Sequence, residues 1–543
     1  MNQIEANLQQ ALRDAIKKGY GVEIENILIE RPKDKTHGDY ASNVAMKICK
    51  QVQSRPLDVA NTIQANLDMA SANITKVEIA GPGFMNFFVA SDSLSSVIAK
   101  VLAEDENYGK SDAGKGMKIN VEYVSANPTG DLHPGHARGA AMGDSITRLL
   151  KMAGYDVTRE YYINDAGNQI HNMALSLQAR YLQHCGKDAN VPEDGYHGPD
   201  LIEIAQRIYD EHGNEFVEGD HYDFFRSYGL KAELAKLQAD LESFNVKFDV
   251  WTSEKSLYDR NLVEKSLETL KANGFTYEQD GALWLKTTQF GDDKDRVLVK
   301  SDGSYTYLTP DIAYHLNKLD RGYDKLVDLL GADHHSYITR LKAAIQALGY
   351  EADKLEVDIV QMVRMIKDGE EFKLSKRSGK ALSLRDLIEE AGVDALRYFF
   401  ASRAGDTQMD FDIDIATKQS NENPVYYAQY AHARMASILR QAADIEIASS
   451  YELLTNEKEL QLLKQIIDFT NVVADSAKTR MPHKMCNYIQ KLASDFHSFY
   501  NECKVIDNEN MALSAQRLAL VKASKITLRN ALDSIGVSAP EKM

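Results

Sequence analysis

The stretch 118-KINVEYVSANPTGDLHPGHARGAAMGDSITRLL-150 passes from a strand pattern, through a turn, into a helix pattern. KINVEYV alternates apolar and polar side chains, the period of a strand. Met142, Ile146, Leu149 and Leu150 then fall at i, i+4, i+7 and i+8, one face of a helix. Between them, Ser125 to Gly139 packs two histidines, two prolines and three glycines into fifteen residues. A helix N-terminus offers unpaired N–H groups and the positive end of the helix dipole, which suits an anion. Pro134 is tolerated where its missing N–H costs nothing, and Gly135 lets a ligand approach the backbone closely. His133 and His136, three apart, can both donate to phosphate oxygens.

Downstream the rhythm repeats. DVTREYYIND reads as a strand from residue 156 and AGNQIHNMALSLQARYL as the helix after it. KLVDLLG and VDIVQMV are short apolar strands separated by the helix SYITRLKAAIQALG. Alternation at this spacing predicts an α/β domain over 106–404 with a Rossmann-like, doubly wound parallel sheet. In such a sheet the mouth of the first strand is where nucleotides sit. Between about 185 and 295 the rhythm breaks into charged helices and the hairpin GFTYEQDGALWLKT, and reads as an insertion. Residues 1–105 mix helices with the strand-like KVEIAGPGFMNFFV, an N-terminal α+β unit. From 405 to 543 the pattern is helical. Met485, Ile489, Leu492, Phe496, Phe499 and Cys503 form one apolar stripe, and Leu518, Val521, Leu528, Leu532 and Ile535 another, so this part reads as an all-α bundle.

Bulk properties set bounds. At 543 residues the chain is too long for one core. A net charge of −17 argues against non-specific nucleic-acid binding by the whole surface. The four cysteines are scattered with no CxxC pair, so a reducing, cytoplasmic setting without structural zinc is expected. No apolar run reaches membrane-spanning length, and the first residues pattern as an amphipathic helix rather than a signal peptide. In the polar linker 103-AEDENYGKSDAGKG-116, Gly109 to Lys115 match seven positions of the phosphate-binding GxxxxGK[ST]. Gly116 supplies no hydroxyl and the segment precedes a strand instead of following one, so it reads as a hinge.

A second loop, 373-KLSKRSGK-380, sets flexible cations beside a glycine, suited to a phosphate chain. About 240 residues separate it from HPGH. In this order on a doubly wound sheet, the two resemble the HIGH and KMSKS signatures of class I aminoacyl-tRNA synthetases. The runs VEYVSANPTGDLHPGHARGAAMGD, EYYINDAGNQI, YTYLTPDIAYH, LLGADHHSYITRLKAA, DALRYFFASR and NPVYYAQYAHAR resemble bacterial-type arginyl-tRNA synthetases across the whole chain. The literal 394-DALR-397 matches the tetrapeptide that names that family's anticodon-binding module. There are departures: Pro134 stands between the histidines, Asp131 where proline is usual, and Leu374 and Arg377 inside KMSKS. None removes a phosphate-contacting group, and the Asp131 side chain should point away from the phosphates.

The resemblance implies an arginine–tRNA ligase with an N-terminal domain that reads the D-loop and a DALR-type anticodon-binding bundle. It implies a monomer that uses ATP with Mg2+, L-arginine and tRNA(Arg), and neither DNA nor a membrane. By this mapping His133, Gly135, His136, Lys373 and Lys376 are catalytic. Asp333 and Ser375 join His133, His136 and Lys376 around ATP. Glu122 and Asp311 match the guanidinium acids, with Tyr307 packed beside them and Ser125 and Asn127 on the amino and carboxylate ends. Phe84 and Asn86 would meet a D-loop base, and Tyr430 and Arg434 the anticodon. Two alternatives compete. A cysteinyl or glutamyl class I enzyme is one, although the cysteinyl type needs zinc-binding cysteines; a non-catalytic tRNA-binding relic is the other.

Overall fold

The structure, a computed structural model, describes residues 3–32, 34–332, 337–372 and 381–543. In the N-terminal unit the helices Gln3–Tyr20, Val44–Ile48 and Pro56–Asn66 accompany a three-stranded antiparallel sheet. Its middle strand, Phe84–Val89, pairs with Tyr40–Ser42 on one side and Ile74–Ala80 on the other. The segment 103–116 is anchored and is not a loose hinge. Tyr108 is buried and donates to the Ile466 carbonyl at 2.8 Å. A Cβ on Gly109 would lie 2.2 Å from the Phe469 ring, and one on Gly114 2.5 Å from Tyr155. Those glycines serve close packing, which accounts for the chance likeness to a phosphate loop.

The central unit is built on five parallel strands in the order Leu355–Val360, Lys325–Gly331, Lys118–Glu122, Asp156–Ile163, Val250–Ser253. The chain leaves the central Lys118–Glu122 strand in one direction and returns on its other side. That reversal opens a crevice at the carboxyl ends of Lys118–Glu122 and Lys325–Gly331. The stretch 185–295, read as an insertion, also contributes the fifth strand, Val250–Ser253. Only four residues long, it is too short to stand out from charged helices on either side. Within the same stretch the hairpin Thr276–Gln279/Ala282–Leu285 closes on Asp280 and Gly281, both at positive φ (52° and 74°), the turn that Asp-Gly favours.

Helix Pro134–Met152 lies against the sheet so closely that a Cβ on Gly143 would sit 2.3 Å from the Tyr123 ring. The C-terminal bundle consists of Pro424–Gln441, Glu457–Thr479, His483–Glu502 and Met511–Asp533, and every residue of the two apolar stripes is buried. The DALR tetrapeptide bolts this bundle to the central unit. Arg397, fully buried, donates to Asp144 of the Pro134–Met152 helix at 2.5 Å and to the carbonyls of Ile535, Phe244 and Asn245. Asp394 accepts from the Ser538 backbone N–H at 3.0 Å and from Gln429 at 2.7 Å. Among the described residues, no helix is long and apolar enough to cross a membrane.

Candidate active site

The crevice at the strand ends is a cleft of about 490 Å³. It is lined by Ser125, Asn127, His133, Gly135, His136 and Gly139 from the opening stretch. Leu329 to Ala332 and Val360 to Met362, at the ends of the two strands on the other side, close it. Five of the residues expected from sequence therefore converge here.

The chain enters the cleft under strain. Val124 has φ 69° and Ser125 φ 39°, and the Ser125 N–H donates to the Tyr123 carbonyl at 3.0 Å, a tight γ-turn. Positive φ at a β-branched residue is unfavourable, and such strain persists where the surroundings over-determine it, commonly at functional sites. Here the turn swings Ser125 back over Glu122: its hydroxyl donates to Glu122 Oε1 at 2.9 Å and accepts from the Tyr162 N–H at 3.0 Å. Asn127 donates to Gln169 Oε1 at 2.7 Å.

At the helix mouth the two imidazoles stack, ring centroids 3.6 Å apart. His133 Nδ1 accepts from the N–H of Gly135 at 3.1 Å and of His136 at 3.4 Å; His136 Nδ1 accepts in return from the His133 N–H at 3.4 Å. This corrects the expectation of free N–H groups awaiting an anion, since His133 takes two of them as helix cap. Gly135 has a second reason to be glycine, because a Cβ there would lie 2.9 Å from the His133 ring. Burial lowers the pKa of His133, and burial together with its partner pushes His136 down to about 3. Both rings are neutral, and with each Nδ1 accepting, each Nε2 carries the proton and serves as a donor. Pro134 occupies the first helical position, where it fits. Asp131 gives its carboxylate to Lys236 at 2.8 Å.

Two further acids come together near Glu122. Asp311 opens the helix Leu308–Asp320 and accepts from the Tyr337 hydroxyl at 2.5 Å. Glu254, first residue of the helix after strand Val250–Ser253, stands close enough for the two carboxylates to repel. Burial raises both pKa values, with added repulsion from Glu122 and Asp328 at Asp311 and from Asp311 and Asp165 at Glu254; Tyr337 and His315 partly offset this at Asp311, and Tyr162 and Tyr258 at Glu254. Among the described residues neither acid forms an ion pair. In the free site both carboxyls therefore hold protons more readily than usual, while a guanidinium stabilises only their anions. A guanidinium substrate, which the family resemblance implies to be arginine, would then bind here with loss of protons and weaken as pH falls. Its KM measured from about pH 8 to about pH 5 should rise on the acid side while that of ATP changes less.

Three expectations change. Glu122 is not an open guanidinium acid: it is buried against Lys318 at 2.5 Å, and that ammonium already meets its charge. Glu254 is a further acid near Asp311, beside Glu122 and Asp328; sequence reasoning missed it because its strand was missed, and the signal available was a carboxylate directly after an N-capping serine. Tyr307 is 89% exposed and does not pack beside Asp311; Tyr337 holds that carboxylate instead. Asn86 is 5% exposed, enclosed in its sheet with little surface for a base, whereas Phe84 is 38% exposed. Asp333, Lys373, Ser375 and Lys376 lie outside the described residues. Gly139 was also missed, although an interior helical glycine costs about 1 kcal/mol and calls for a reason. A Cβ there would project into the open cleft, with nothing within 4 Å.

Three family models match the chain: Arginyl tRNA synthetase N terminal domain over residues 2–89, tRNA synthetases class I (R), catalytic domain, over 97–400, and DALR anticodon binding domain over 428–543. An arginine–tRNA ligase of Bacillus cereus is 54% identical over the full length of both chains. Its counterpart in Bacillus subtilis is 56% identical, covering 99% of this chain and 98% of the relative. The arginyl-tRNA synthetase of Thermus thermophilus has the same fold, with TM-score 0.78 at 22% identity over all of both chains.

Proposed function

The chain belongs to the arginyl-tRNA synthetases, and on that premise we propose how its residues perform the ligation. The enzyme activates L-arginine with ATP and transfers it to tRNA(Arg). In the first step an arginine carboxylate oxygen attacks the α-phosphorus, pyrophosphate leaves, and arginyl-adenylate forms. In the second the 2′-OH of the terminal adenosine attacks the arginyl carbonyl, and AMP leaves. Neither step needs a protein nucleophile; catalysis rests on positioning and on stabilising phosphate charge.

The observation that carries the assignment is the meeting of a neutral, doubly capped histidine pair with a strained Ser125 turn and with Asp311 and Glu254, which form no ion pair among the described residues. ATP occupies the cleft, with Gly139 leaving room for it and the Nε2–H groups of His133 and His136 donating to its phosphates. Because these rings are neutral, positive charge must come from elsewhere. Lys373 and Lys376 supply it to the leaving pyrophosphate, with Ser375 and Asp333 on the nucleotide, as the family resemblance implies. Mg2+ enters as part of the MgATP substrate, carried on the phosphates as this ion usually is. Arginine lies with its guanidinium between Asp311 and Glu254, where planar carboxylate pairing selects it over lysine. Ser125 and Asn127 hold its amino and carboxylate ends, and Glu122 with Lys318 forms the floor beneath.

For tRNA, Arg434 lies 4.3 Å from the Tyr500 ring centroid and 5.9 Å from that of Tyr430, which is 37% exposed. Such a cation–aromatic group suits stacking on unpaired anticodon bases. Phe84 offers a comparable face to the D-loop. The proposal includes a monomer working in the cytoplasm. Replacing Lys376 by Ala tests the leaving-group role: kcat for aminoacylation should fall roughly 10²-fold with arginine binding little changed. A rise in KM alone would remove Lys376 from that step.

A further inference from the structure

We propose that His315 is held as an imidazolium beneath the arginine pocket, where it positions Asp311 for the substrate guanidinium. His315 sits one helical turn after Asp311 and is 4% exposed. Its Nδ1 lies 2.7 Å from the main-chain oxygen of Asp311, and its Nε2 lies 2.8 Å from Oδ2 of Asp328. Both partners are acceptors. A backbone carbonyl has no proton to give, and Asp328 accepts from the Lys318 ammonium at 3.0 Å through its other oxygen, as a carboxylate does. A neutral imidazole has one N–H and would turn a lone pair toward one of these two oxygens. Flipping the ring would set carbon against both, so the alternative orientation loses both bonds. Only the doubly protonated ring satisfies the pair.

The surrounding charges agree. The groups facing the ring are the carboxylates of Asp328 and Glu122, the main-chain oxygen of Asp311 with its carboxylate close enough to feel the ring's charge, the ammonium of Lys318 and the Tyr314 ring, whose centroid is 5.5 Å away. Burial and Lys318 oppose the cation, and Asp328, bonded directly, outweighs them, so the pKa is raised. Lys318 and His315 then balance Glu122 and Asp328 under the sheet. Among the described residues Asp311 and Glu254 form no ion pair, and they are the two that the substrate guanidinium would meet. Mechanically, the Nδ1–H clamps the first turn of the Leu308–Asp320 helix to strand Lys325–Gly331, which carries Asp328. His315 touches no substrate atom; it fixes where Asp311 stands.

The inference rests on the reading of Asp311 as a guanidinium acid, and its test separates the two. The full-length enzyme labelled with ¹⁵N-histidine should show one ring with both nitrogens protonated at about pH 8, above the ordinary histidine pKa of about 6.5, and that signal should be absent from H315Q. H315Q should raise the arginine KM about tenfold and leave the ATP KM within about twofold of wild type, with cooperative unfolding retained. A single protonated nitrogen at that pH, or an equal rise in both KM values, overturns the proposal. If H315Q fails to fold, the wild-type ring can still be identified by its insensitivity to pH, and a neutral ring at every buried histidine overturns the proposal equally. Should Asp311→Asn weaken arginine use while H315Q does not, the positioning role alone falls. Should neither change it, the pocket reading fails first.

Discussion

Replacing Asp311 by Asn is expected to lower kcat/KM for arginine by roughly 10²–10³-fold while leaving the ATP KM within about twofold of wild type. The substitution keeps the shape of the side chain and the possibility of a hydrogen bond with Tyr337, so the first turn of its helix need not move. What it removes is one of two negative charges that face a guanidinium in a pocket where burial already raises the acid's pKa. Truncating one partner of a buried, hydrogen-bonded charge pair costs about 2–5 kcal/mol, which sets the size of the effect. A neutral analogue gives the complementary measurement. Citrulline replaces the guanidinium by a urea and would leave both carboxylates unpaired, so the wild-type enzyme should reject it by as much as ~10⁴-fold. In Asp311→Asn that gap should narrow. Arginine kinetics equal to wild type would take Asp311 out of the pocket.

The second large effect is expected at Arg397, the last residue of the DALR tetrapeptide. Its guanidinium is fully buried between the catalytic helix and the C-terminal segment, paired with Asp144 and donating to three carbonyls. Arg397→Ala should destabilise the protein by about 3–5 kcal/mol, because it leaves Asp144 with Arg148 alone and three buried carbonyls without their donor. Arg397→Lys should recover little, since a point charge on a flexible stem cannot copy the planar fork. Gly536 has no room to compensate: a Cβ there would lie 2.2 Å from the Arg397 guanidinium, and its φ is +69°. Denaturant unfolding followed by circular dichroism checks this. At a temperature where the variant stays folded, the arginine KM should be unchanged and the tRNA KM raised, because the bundle loses its fixed seat. An unfolding midpoint equal to wild type would show that the tetrapeptide is not the bolt described here.

Much of the site was legible because its parts are local. HPGH declares itself by proline and glycine at a strand-to-helix turn, and the Pro134–Met152 helix by its apolar period. The apolar stripes of the last helices are buried as their spacing requires. Glu254 was hidden because its strand has only four residues, and Tyr337 because nothing near it in sequence marks it as the partner of Asp311. The Gly109–Lys115 likeness to a phosphate loop misleads for the same reason: glycines forced by Phe469 and Tyr155 look in sequence like glycines that serve a ligand.

The sequence by itself determined the order of elements, the doubly wound sheet, the helical bundle and the family, since periodicity and signature spacing follow from burying one face of each segment. Tertiary structure decided which charges cancel. Glu122 and Lys318 are 196 residues apart in sequence, and Asp144 and Arg397 are 253 apart. A carboxylate's role depends on whether a cation reaches it inside a medium of low dielectric constant, and only the folded chain brings that cation near. That is why Glu122 is paired with Lys318 while Asp311 and Glu254 form no ion pair among the described residues, which is the basis for proposing them as the guanidinium acids.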